Sequence, residues 1–526
     1  MASSPIVVAL IALYFVLLVL TGIWSGRLRG DSNQYLNATS SLPLWVCTAA
    51  CIAANCGSLE LFAMTALGAQ YGMLACHFYW IGAIPALLAV AFWLLPEYTR
   101  KRNPNVLDYI GRHYGSATRS MVALCMASMM LLIAGVSLCA VAQTVTAFLG
   151  WSFFRATLVA AAVVLFYIWA GGFRATVYAE LFHFAFVLVA VVPLLFLVAR
   201  ELGGFHSFFA SIPSSRLHIW QGLPTFGPNA VMDRFGVVFG LGLVLSFGFW
   251  STDFVQLQRM LAVRNQRDAP FIPLSIAAAK YIFAVLLVFT GVAAPLVLPG
   301  LGTSKSWNLT LPSLLLHYYK SIWLILGFMG LAASMLSTFS NNVAGFTSAW
   351  VQGVYQQRLV TDAGDNHYKW VSRITNALVV FLSIGTAYFA LHFQSLMEYI
   401  QLILSTFNAP LFALVALAAI VPRRAAAGGR SGFLIGLACA ASLQVLTLVH
   451  VLSFGSQMSA NFYTASVGFV AALTATLIIG SRSTTPTIGR PANETPAPHS
   501  RTLAAPALAV GIGLAGLLVV FNAIFW

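Results

Sequence analysis

Apolar residues run through this chain in fourteen long stretches: 5–25, 44–70, 74–96, 119–148, 152–170, 177–199, 234–254, 271–298, 318–354, 373–393, 398–421, 431–453, 462–480 and 503–525. Each is long enough to cross a bilayer, since a helix needs roughly 20 mostly apolar residues to span the hydrocarbon core. The pattern therefore predicts an all-α polytopic membrane protein with about fourteen transmembrane helices.

Two of these stretches are interrupted. The span 44–70 contains the polar run Asn55-Cys56-Gly57-Ser58 followed by Glu60, and 234–254 carries Gly236, Gly240, Gly242 and Gly248. Glycine weakens a helix interior, so both are expected to break. Interrupted helices at matching places in two halves point to an inverted-repeat transporter. Their starts are five helices apart and they run in opposite directions, as a five-plus-five inverted repeat requires. The division that follows is 1–43 as an N-terminal peripheral helix and loop, 44–233 as the first repeat with an outer loop, 234–421 as the second, and 422–526 as C-terminal peripheral helices. Within the last part, the Thr-, Pro- and Arg-rich stretch 481–502 reads as a flexible cytoplasmic linker. Two readings of the loop 200–233 are open: a cover over the outer mouth, or disorder.

Charge adds orientation. With the N-terminus outside, 20 of the 27 basic residues fall in inside loops. Arg155, Arg200, Arg216, Arg234, Lys305 and Lys320 fall outside, and Lys280 lies within a span. Cytoplasmic loops collect Lys and Arg, so both termini are expected outside a plasma (inner) membrane. The same rule accounts for the net charge of +14 without invoking nucleic acid.

Composition narrows the class further. Only 8% of residues are charged and 60% are hydrophobic, and the mean hydropathy is +0.87. No stretch is long enough for a separate soluble domain, and no G-x-x-x-x-G-K-[ST] motif occurs, which argues against an ATP-driven pump. The seven cysteines sit in apolar segments without a C-x-x-C pair and read as small core residues. The first apolar run lacks a basic leader and a small-residue cleavage site, so it reads as a membrane helix.

Polar residues inside a membrane are costly and mark function. The run Ala53–Gly57 could free backbone carbonyls for a cation, or be a bare glycine kink. The segment Ser334–Asn342 is the densest cluster of hydroxyls and amides in any span, with Ser337, Asn341 and Ala344 on one face. Neutral oxygens at that density suit Na⁺; interhelical hydrogen bonding is the competing reading. Glu60, Glu180 and Lys280 lie deep within spans and need partners, a bound ion or water. Asp253 and Glu398 lie nearer span ends, where interfacial solvation is a fair explanation.

These residues resemble those of the sodium:solute symporter family, which has the leucine-transporter-like fold. Four segments carry the resemblance: 53–72 (AANCGSLELFAMTALGAQYG), 171–184 (GGFRATVYAELFHF), 250–269 (WSTDFVQLQRMLAVRNQRDA) and 334–355 (SMLSTFSNNVAGFTSAWVQGVY). The resemblance implies a Na⁺ site made by the carbonyls of Ala53, Cys56 and Ser334 and the hydroxyls of Ser337 and Thr338. It implies a possible second cation site at Glu180, Ser340 and Asn341. There the family's Thr-Asp has become Ala179-Glu180 and its Gln has become His183, which makes a proton on Glu180 an alternative. It also implies a solute site lined by Ser58, Glu60, Phe62, Phe249, Asp253, Lys280 and Gln401.

The expected function is Na⁺-coupled symport of a small polar solute by alternating access. The Glu60 carboxylate favours a solute with an amine or many hydroxyls, and Lys280 could neutralise Glu60 or meet a solute carboxylate; an amino acid or other zwitterion would satisfy both charges. Na⁺, the solute and the bilayer are the expected partners, with no organic cofactor, no nucleic acid and no obligate protein partner. A transporter-like sensor and an H⁺-coupled symporter are the alternatives. An enzyme is not expected: His77, His183 and His392 are scattered and lack an evident catalytic partner.

Overall fold

The computed structural model describes residue 16 and residues 43–55, 57–100, 105–265, 267–303, 306–393, 395–421, 427–482 and 505–526. The expected first span and the linker 483–502 lie outside the described residues. Among those described, eleven helices are long and apolar enough to cross a membrane, or twelve if one bent pair counts as a span. The fourteen expected from hydropathy are not all represented.

The break in the first span is where the polar run places it. Helix α1 (Leu44–Asn55) stops and α2 (Ser58–Tyr71) starts across Gly57. Next come α3 (Phe78–Tyr98), α4 (Val106–Leu149) and α5 (Phe153–Glu201). Helix α4 begins earlier than expected because it includes a short segment before a kink at Gly115, whose φ of 85° breaks the helical path. Helix α5 covers two expected spans in one helical stretch. Its two ends are fixed by different contacts: the Phe153 ring packs on Tyr388 at 5.1 Å and Glu201 pairs with His317 at 3.2 Å.

The second broken helix is α6 (Gly236–Thr252) followed by α7 (Phe254–Leu261), bent by 52°. Asp253 causes this break to hold. Its carboxylate accepts from the amides of Val255 at 2.9 Å and Gln256 at 3.0 Å, capping α7. The chain continues as α8 (Phe271–Val297), α9 (Ser321–Leu359), α10 (Asp365–Ala390), α11 (Leu396–Ile420), α12 (Gly429–Leu448), α13 (Gln457–Arg482) and α14 (Ala505–Ile524).

Helix α9 is central and packs along α4 and α5, whereas α12 and α13 form a peripheral pair against α11. Small residues set the closest crossings, as expected where helix association relies on backbone approach. At the α2–α8 crossing a Cβ on Gly68 would lie 2.6 Å from the Val288 carbonyl, and one on Gly291 2.3 Å from that of Thr65.

Candidate functional site

The two helix breaks face one cavity of about 240 Å³. A broken helix leaves its last carbonyls and first amides without helical partners, so α1 and α2 offer backbone polarity at mid-membrane. Gly57 brings this break against α9: a Cβ there would lie 3.0 Å from the Ala53 carbonyl and 3.2 Å from Ser334 Oγ. On α9, the Thr338 hydroxyl donates to the Ser334 carbonyl at 3.3 Å, and Thr338 also lines the cavity. Ser337 Oγ is buried with no hydrogen-bond partner among the described residues. Ala53 and Ser334 therefore meet at Gly57 where α1 approaches α9, with Ser337 and Thr338 on the next turn of α9. Cys56 lies outside the described residues.

The residues expected at a second cation site are only partly brought together. Asn341 Oδ1 accepts from Arg259 Nη2 at 2.9 Å, so that oxygen is already held by a cation. The Ser340 hydroxyl donates to the Ser337 carbonyl at 2.8 Å. Glu180 is within α5, but its side chain lies outside the described residues.

Of the expected solute-site residues, Glu60, Phe249, Asp253, Lys280 and Gln401 line the cavity. Phe62 does not. It sits on the other side of α2, almost fully buried in the apolar core. The Ser58 side chain lies outside the described residues.

Lys280 is only 3% exposed and its ammonium is paired with Glu60. It also lies 5.3 Å from the centre of the Tyr79 ring and 5.8 Å from that of Trp250, close enough for cation–π attraction. Its charge is answered from within the protein. Of the two roles open to Lys280 from the sequence, the structure has it pairing with Glu60.

Carboxamide and carboxylate side chains form part of the cavity wall. Asn55 Oδ1, Glu60 Oε1, Gln256 Oε1 and Gln401 Oε1 are buried, line the cavity and have no hydrogen-bond partner among the described residues. Asn, Gln and Glu side chains on the cavity wall give it hydrogen-bonding capacity for a polar solute. Tyr79, Phe249 and Trp250 supply aromatic surface on the same walls.

Several contributors carried no recognisable signal in the sequence. Tyr79 sits in an apolar aromatic run, where aromatic residues are ordinary. Arg259 reads as one more cytoplasmic-loop cation, yet it is 2% exposed at the base of the cavity. Glu398 reads as an interfacial carboxylate but is buried. It accepts from the Tyr71 hydroxyl at 2.6 Å and from Gln70 Nε2 at 3.2 Å.

Two broken helices around a polar cavity inside a bundle of apolar helices are an arrangement used by membrane transporters. Residues 35–436 match the sodium:solute symporter family, and the chain belongs to that family. It is a transporter and not an enzyme. Among curated proteins it is 24% identical to a sodium/mannose cotransporter of Bos taurus over 491 residues, covering 84% of this chain and 79% of the relative. It is 23% identical to a sodium/glucose cotransporter of Vibrio parahaemolyticus, covering 73% of this chain and 74% of that one. Among solved structures, a Na⁺-coupled sialic acid symporter matches with a TM-score of 0.73 at 14% identity, covering 91% of this chain and 98% of that one. The transporter MhsT, solved with L-phenylalanine, matches with a TM-score of 0.52 at 14% identity over 84% of this chain and 99% of its own. These two establish the shared fold.

Proposed function

We propose that this protein is a Na⁺-coupled symporter for a small polyhydroxylated solute of the sugar or cyclitol class. The carboxamide and carboxylate side chains of Asn55, Glu60, Gln256 and Gln401 on the cavity wall carry the reading. Hydroxyl groups donate to carboxamide and carboxylate oxygens, and a sugar offers several at once. An amino-acid carboxylate would need donors or a free cation, and the Lys280 ammonium is engaged by Glu60. Relatives described as mannose, glucose and myo-inositol cotransporters support the same class.

The Na⁺ site comprises Ala53, Cys56, Ser334, Ser337 and Thr338. The unpaired Ser337 hydroxyl supports it, since a hard cation prefers such oxygens. Na⁺ bridges the broken helix and α9 and favours the state that accepts solute. It acts only through its different affinity for the two states. The face holding the loop 202–233 is outside, following the distribution of basic residues.

The test is uptake by proteoliposomes under an imposed Na⁺ gradient, with labelled glucose, mannose, myo-inositol, sialic acid and a mixture of amino acids. Accumulation of a hexose or cyclitol that disappears in choline is the expected result. Uptake of amino acids alone, or uptake driven by a proton gradient without Na⁺, would overturn the assignment.

A further inference from the structure

The loop 202–233 is folded, and one of its side chains reaches the broken helix. Arg216 Nη2 donates to the carbonyl of Gly68 at 3.2 Å and to that of Ala69, in the last turn of α2. A cation at a helix C-terminus answers both the unpaired carbonyls and the helix dipole. Gly72 allows the approach: its φ is +68°, and a Cβ there would lie 2.8 Å from the Arg216 carbonyl.

The loop is itself tied down. Ile219 N donates to the Phe525 carbonyl at 2.9 Å and Gln221 N to that of Trp526 at 3.2 Å. Between them Trp220 Nε1 donates to Asn522 Oδ1 at 2.9 Å. His77 Nε2 bonds to the Ile219 carbonyl at 2.7 Å, and its ring centre is 4.3 Å from that of Trp220. The same turn of α2 is held on another side through Gln70 and Tyr71, which both donate to Glu398 at the start of α11.

We infer that Arg216 is a positioning residue for transport: a clasp, anchored by the end of α14, that holds the outer half of the broken helix against the bundle and must release for solute to enter. This rests on the transport reading above. Parting the end of α2 from α11 would break the Gln70 and Tyr71 bonds to Glu398 and widen the cavity on the loop face. The Arg216 contacts are made to main-chain carbonyls of α2, so they follow its position and not the identity of its side chains. Without the clasp, the Glu398 bonds and the packing of α2 on α8 remain to oppose opening on this turn.

The experiment places a reporter cysteine at Met397, which lines the cavity beside Glu398, and measures its labelling by a membrane-impermeant thiol reagent applied from each side of proteoliposomes. The protein without the reporter gives the background. Arg216→Ala should label about tenfold faster from the loop face, the shift expected when a charged hydrogen-bonding group stops favouring one state. Arg216→Lys should stay near the parent rate. Asn522→Ala, which loosens the anchor and leaves Arg216 in place, should fall between and guards against misfolding of Arg216→Ala. Labelling unchanged in both Arg216→Ala and Asn522→Ala would overturn the proposal. Arg216→Lys labelling as fast as Arg216→Ala would also overturn it, because charge at this position would then not matter. Uptake by the parent protein is measured in the same vesicles. Its failure would count against the transport reading, while the labelling rates would still report on the clasp.

Discussion

Glu60 and Lys280 are worth more as a pair than either is alone. With 15% and 4% of their side chains exposed, they lie where an unpaired charge is poorly solvated. Removing one partner of a buried pair typically costs about 3–5 kcal/mol, whereas replacing both can be nearly neutral. Lys280→Met should therefore lower the melting temperature markedly, and Glu60→Gln with Lys280→Met should recover most of it. Solute binding should return only in part in the double variant, since the amide that replaces the Glu60 carboxylate on the cavity wall is a neutral and weaker acceptor. Melting scans with and without solute check both halves. Gln401 is the simpler case. Its Oε1 has no hydrogen-bond partner among the described residues, so Gln401→Leu should leave stability nearly unchanged and weaken solute binding roughly tenfold, about the worth of one hydrogen bond to a ligand. An equal loss of Na⁺ affinity and solute affinity in this variant would show that it acts on the fold and not on the solute.

At the level of helices, the break between α1 and α2 was legible because Asn55, Gly57 and Glu60 are out of place in an apolar run. The second break was legible only in part. Its glycines lie in α6, whereas the bend falls at Asp253, whose capping bonds cannot be read from hydropathy. Ser334, Ser337 and Thr338 stood out as hydroxyls in a membrane helix. Tyr79, Arg259 and Gln256 did not, because their roles come from helices distant in sequence meeting at one cavity. Phe62 went astray through its rotation on α2: two positions from Glu60, it faces the core. Gly57 shows how tightly the break is held. A methyl group there would press on the Ala53 carbonyl and Ser334 Oγ, the two groups that bring α1 and α9 together. Gly57→Ala should therefore weaken the stabilisation by Na⁺ far more than it lowers stability in choline. Gly68→Ala should do the reverse, because its Cβ would strike the Val288 carbonyl at the α2–α8 crossing. That overpacking should cost about 1–3 kcal/mol in either salt. Melting temperatures in NaCl and choline chloride at equal ionic strength separate the two.

On the scale of the whole molecule, the proposed ion site and the solute cavity share one moving part. Asn55 and Glu60 flank the break whose other side meets Ser334, and Thr338 lines the cavity itself. A ligand that fixes this break changes what the other ligand encounters. Thermodynamic linkage then requires that Na⁺ tighten solute binding by the same factor as solute tightens Na⁺ binding. Coupling of 1–3 kcal/mol is typical, roughly 5–150-fold in affinity. Dissociation constants from calorimetry, for solute at several Na⁺ concentrations and for Na⁺ with and without solute, should give one factor in this range. Thr338→Ala should weaken Na⁺ binding and, at a fixed Na⁺ concentration, weaken solute binding through the ion it has lost. At saturating Na⁺ the variant should recover solute affinity close to the parent value. If solute binding stayed weak there, Thr338 would belong to the solute site and not to the ion site. If the two coupling factors agreed at one, the break would not be the shared element, and symport would need a different connection between ion and solute.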